Sequence, residues 1–170
     1  MSNWSDIRIR ITADNGRSLM EMNEKARGVI SATTKRDRNA MVFFGSTYFK
    51  LVWPTAKVAE GTLYMMGHCR TGIQIQDAAD ILRWFGKTVS TFEMNVRDDE
   101  NRTFIVFRWN QDDRNVLFSR WIPVEAFPEL GDPESKTYDH ETMAALYKAL
   151  KENGQTLVLP LDELSKRTTP

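Results

Sequence analysis

The sequence predicts an α+β fold built on one antiparallel sheet, and three observations carry that expectation. Isoleucines at 7, 9 and 11 alternate with Arg8, Arg10 and Thr12, the period-two pattern of a half-buried strand. Two segments with helical spacing, beginning near Ser18 and Asp77, are each flanked by strand-like runs. Between Val89 and Ile122, three strand-like runs are separated only by short acidic turns, the pattern of an antiparallel meander.

The elements follow in order. Asp6–Thr12 is the first strand, and the turn Asp14-Asn15-Gly16 ends it. Ser18 and Glu21 have capping-box spacing ahead of Leu19, Met22, Ala26 and Val29, which predicts a helix to about Ala32. Thr33–Asn39 is a charged connector. Met41–Trp53, rich in aromatics, reads as a strand bent near Gly45-Ser46 and ended by Pro54. Thr62–Cys69 is a shorter strand. Asp77–Phe85 is a helix with Ala78, Leu82 and Phe85 on one face and Gly86 as its C-cap. Val89–Val96, Thr103–Asn110 and Val116–Ile122 form the meander. Pro123–Tyr138 is a proline-bearing surface excursion. Asp139 caps a last helix with Met143, Leu146, Tyr147 and Leu150 inward and Gly154 at its end. Thr156–Leu161 is an edge strand, the one place where Pro160 is tolerated.

The first 97 residues therefore read β-α-β-β-α-β, which resembles in element order the ferredoxin-like or split βαβ unit, extended by a β-meander and a C-terminal helix. Residues 1–164 are expected to form a single domain and 165–170 a loose tail. A chain of 170 residues buries roughly 70% of its unfolded surface, so it needs no disulfide or metal to fold. The one cysteine, the charged N-terminal residues and the lack of a long apolar run predict a cytoplasmic protein without a membrane span.

Candidate chemistry is sparse. His68 and Cys69 are adjacent, but neighbours on a strand point to opposite faces, so they are not expected to form a catalytic dyad. One Cys and two His do not make a tetrahedral zinc site, and no phosphate-cradling glycine loop is present. The acidic runs Asp98–Glu100 and Asp112–Asp113 fall at successive hairpin turns, hence at opposite ends of a shared strand, which argues against a metal between them. The segment from Ala78 to Phe92 has a superficial helix-turn-helix pattern, but its second half is β-rich with period two. No enzyme and no cofactor are predicted.

Binding is what remains. The first expectation is a protein-binding factor, an inhibitor, adaptor or immunity-type protein. Its contacts would be Trp53, Trp109 and Trp121, with Asp112 and Asp113 beside them, because protein interfaces concentrate large aromatics. The alternative is a single-stranded nucleic-acid binder. Through Lys57 the chain has 10 Lys and Arg against 5 Asp and Glu, and Arg8, Arg10, Lys35, Arg36 and Arg38 are the cations expected to contact phosphates. Phe44 and Tyr48 would supply stacking surfaces on the outer side of their strand. A homodimer, through the Thr156–Leu161 edge or through the aromatic sheet, is a further expectation.

Overall fold

The computed structural model describes residues 4–37, 41–44, 50–70, 74–98, 103–121 and 155–164. The expected excursion at 123–138, the last helix at 139–154 and the tail at 165–170 lie outside them. The fold is α+β. The elements are β1 (Trp4–Ala13), α1 (Gly16–Thr34), β2 (Val42–Phe43), β3 (Lys50–Ala59), β4 (Thr62–Arg70), α2 (Ile75–Phe85), β5 (Val89–Asp98), β6 (Thr103–Asn110), β7 (Asn115–Trp121) and β8 (Gln155–Pro160). All strand pairs are antiparallel, and the sheet order is β2-β3-β4-β1-β5-β6-β7-β8.

The alternation in β1 decides which side of the sheet carries the main core, while Val52, Asn95 and Val106 are buried on the other side. Ile7, Ile9 and Ile11 are buried, and cross-strand pairing sets Met65 and Met94 beside Ile9, and Leu63 and Phe92 beside Ile11. Leu19, Met22 and Ala26 of α1 and Ala78, Ala79, Ile81 and Leu82 of α2 join the same core. Ile105, Phe107 and Val116 extend it across β6 and β7, with the Phe92 and Phe107 rings edge to face at 5.7 Å. Removing roughly a full side chain's worth of apolar area at each such position stabilises the fold by about 1.5–3 kcal/mol.

Three local features differ from the sequence expectations. The α1 cap is Asn15, whose Oδ1 accepts the Ser18 N–H at 2.8 Å, so Ser18 is already inside the helix. At its other end the helix runs on to Thr34, where the Thr33 and Thr34 hydroxyls donate to the carbonyls of Val29 and Ile30. Pro54 does not end a strand: β3 continues to Ala59. A bulge between Val52 and Thr55 takes the proline out of the regular ladder, and Trp53 there has φ 51°. The β3–β4 hairpin then closes through Glu60 and Gly61 with φ 51° and 75°, the positive values a two-residue turn requires.

After β8 the chain turns back to the helix side. Arg83 of α2 donates to the carbonyls of Leu161 and Leu164, and its Nη1 lies 3.7 Å from the buried carboxylate of Asp80. Leu164 is buried in the core. Among the described residues no helix is long and apolar enough to cross a membrane.

Candidate binding face

The side chains opposite the isoleucines form rows, because antiparallel register aligns one residue from each strand. One row runs Lys57, Tyr64, Arg10, Glu93, Arg108, Leu117, Val158 across seven strands, about 29 Å at the usual strand spacing. The Arg10 guanidinium lies 5.8 Å from the Tyr64 ring centre. Next to this row, Thr12 and Thr91 share a hydrogen bond between their hydroxyls.

From Arg10 to Val158 this face is hollowed into an open groove of about 770 Å³. Its walls carry Arg10 and Arg108, the carboxylates of Glu93 and Asp113, the hydroxyls of Thr12, Thr62 and Thr91, the amides of Asn110 and Asn115, and the apolar or aromatic Phe92, Trp109, Leu117 and Val158. Cations and carboxylates are thus equal in number, and Glu93 stands between the two arginines. Val158 is 60% exposed.

Of the predicted contacts, Trp109 and Asp113 line the groove and Trp53 does not. Trp53 is 52% exposed and meets His68 edge to face at 5.6 Å, on the arginine side of the sheet. His68 Nδ1 pairs with Asp6 Oδ1 at 2.9 Å. Trp109, four strands away or about 19 Å, packs against the core and also lines the groove. Trp121 pairs with Phe104 and Trp109 with Val116, which puts them about 17 Å apart along β7. Trp53 and Trp109 therefore do not share one patch. Asp112 and Asp113 sit in the β6–β7 turn. Asp113 caps that turn, accepting the Asn115 N–H at 2.9 Å while its own N–H donates to Asn110 Oδ1 at 3.0 Å.

The predicted cations separate as well. Arg8 and Arg10 lie on the groove side, whereas Lys35 and Arg36 follow the end of α1, which packs on the isoleucine side. Arg38 lies outside the described residues. Phe44 is not on an outer face: it is fully buried, its ring edge to face with Trp84 at 5.1 Å. Tyr48 lies outside the described residues. Cys69 is buried on the helix side with its Sγ 3.8 Å from the Ser5 carbonyl, while His68 points the other way, as expected for strand neighbours.

Sequence reasoning missed Thr12, Thr62, Thr91, Glu93 and Arg108. Alternation within each strand places them opposite the apolar side. Their convergence depends on register between strands far apart in sequence, which no local pattern encodes. Among the described residues no three His, Cys, Asp or Glu side chains are grouped to hold a metal. No family model, no characterised protein and no solved structure matches this chain.

Proposed function

We propose that this chain is a non-enzymatic binding protein of the cytoplasm, an inhibitor or adaptor, that receives a segment of a partner protein in the groove between Arg10 and Val158. The observation that supports this reading is the groove's composition: two arginines, two carboxylates, two asparagines, three threonines and four apolar or aromatic residues, Phe92, Trp109, Leu117 and Val158. Such a mixture matches a polypeptide, with paired charges, backbone hydrogen bonds and small apolar contacts. A phosphate backbone is matched less well, because Glu93 between Arg10 and Arg108 would repel it. Catalysis and a cofactor form no part of the reading, in keeping with a thiol that faces away from the adjacent imidazole.

The second reading, a single-stranded nucleic-acid binder, is favoured by one observation. Arg8, Arg10, Arg97 and Arg108 occupy the same side of three neighbouring strands against Asp6 and Glu93. We also read the order β3-β4-β1-β5 as a split βαβ unit, supported by β1 lying between β4 and β5.

Selection of displayed peptides on the wild-type chain, with counter-selection on Arg108→Glu, tests the first reading. Peptides are expected whose affinity falls at least about tenfold on Arg108→Glu, or ~1.4 kcal/mol. Labelled single-stranded oligonucleotides that bind with a steep salt dependence lost on Arg8→Ala and Arg108→Ala, with no peptide recovered, would replace it by the second.

A further inference from the structure

We infer that β8 is the dimerisation edge of this protein and that its occupant is β8 of a second copy, paired antiparallel about a two-fold axis at Val158. Among the described residues the sheet has two ends. One is β2, two residues long, too short to template another strand; the other is β8, six residues long. Gln155-Thr156-Leu157-Val158-Leu159-Pro160 carries no charge, and charged side chains are the usual guard against edge pairing. Val158 is 60% exposed on it.

Backbone register shows which groups face outward. The Leu161 N–H donates to the Arg114 carbonyl, toward β7. In an antiparallel ladder the N–H and carbonyl of one residue point the same way and alternate along the strand. Residues 155, 157 and 159 therefore bond to β7, and Thr156, Val158 and Pro160 turn their backbone groups away from it, to an edge unpaired among the described residues. Pro160 stands where its missing N–H costs the β7 ladder nothing.

The sequence is self-complementary about Val158. In a two-fold pairing centred there, each Val158 N–H donates to the Val158 carbonyl of the other copy. Each Thr156 N–H donates to the other copy's Pro160 carbonyl. All four outward N–H groups are satisfied, and the proline carries only an acceptor, which is all the register asks of it. Val158 stands opposite Val158, and Leu157 opposite Leu159, so each of these positions pairs apolar with apolar. A five-residue contact buries far less than the ~1,200 Å² of a stable interface, so association is weak and shows as concentration dependence. The axis is perpendicular to the sheet, which sets the two grooves side by side on one surface.

Sedimentation equilibrium over a wide concentration range tests this without any ligand. The weight-average mass is expected to rise toward twice the monomer mass for wild type and to stay at the monomer mass for Val158→Lys. Thr156→Pro, which removes an outward donor and no donor of the β7 ladder, should behave as Val158→Lys does. Both variants should keep the wild-type circular dichroism. Val158→Cys should form a disulfide-linked dimer on mild oxidation, because a directly opposed pair has Cα atoms about 5.5 Å apart. A wild type that stays monomeric throughout, a dimer undiminished by Val158→Lys, or a Val158→Cys variant that does not cross-link would overturn the proposal.

Discussion

Side chains at three positions carry consequences out of proportion to their size. Gly67 faces the β3 bulge, where a Cβ would sit 3.4 Å from the Val52 carbonyl oxygen and 3.5 Å from the Pro54 Cα. An alanine is accommodated at those distances, whereas the branched side chain of Gly67→Val is expected to cost about 1–3 kcal/mol through crowding. Urea unfolding of the two variants distinguishes these outcomes. Trp53 holds a left-handed backbone with a bulky side chain, a conformation that costs roughly 1–2 kcal/mol outside glycine. Trp53→Gly should recover part of that cost, offset by loss of the contact with the His68 ring. A midpoint of urea unfolding well below the wild-type value would show that the ring contact outweighs the backbone strain. Cys69 has no exposed surface. Its thiol should react with an aromatic disulfide reagent only at the rate of global unfolding, and rapid labelling under native conditions would contradict the burial.

At the scale of elements, capping and bulging explain where patterns in the chain misled. Ser18 and Glu21 have the right spacing for a capping box, yet Asn15 lies one turn earlier, with extended backbone and an oxygen aimed at the Ser18 N–H. Both satisfy the same local rule, and the closing of the β1–α1 turn selects between them. Asn15→Ala should therefore destabilise the protein by about 1 kcal/mol and Ser18→Ala by less than about 0.5, measured by thermal or urea unfolding. The reverse ranking would restore the capping box. Pro54 reads as a strand terminator because proline removes a ladder hydrogen bond. The bulge moves that position out of the ladder, so β3 runs on into a hairpin that the sequence marked only by Glu60-Gly61.

For the whole molecule, the chain between β8 and Leu164 ties the sheet to α2. Arg83 gathers the carbonyls of Leu161 and Leu164 and lies beside the Asp80 carboxylate, which is only 4% exposed. Arg83→Ala is expected to cost about 1–3 kcal/mol, since it strips partners from buried acceptors. Amide hydrogen exchange should show the loss most strongly at Leu161 and Leu164, and a uniform change across the sheet would argue against a local tie. By itself the sequence determined the α+β class, the positions of α1 and α2, the meander and the sidedness of β1, because those rest on periodicities of two and 3.6 within short windows. It also determined that His68 and Cys69 diverge. Which residues meet was decided by tertiary structure alone. Register across seven strands brought Arg10, Glu93 and Arg108 into one row and set Trp53 four strands from Trp109. The side on which α1 packs parted Lys35 and Arg36 from Arg8 and Arg10. Such pairings join residues as far apart in the chain as Arg10 and Val158, and the free energy that fixes them comes from burying a shared core rather than from any local preference of the chain.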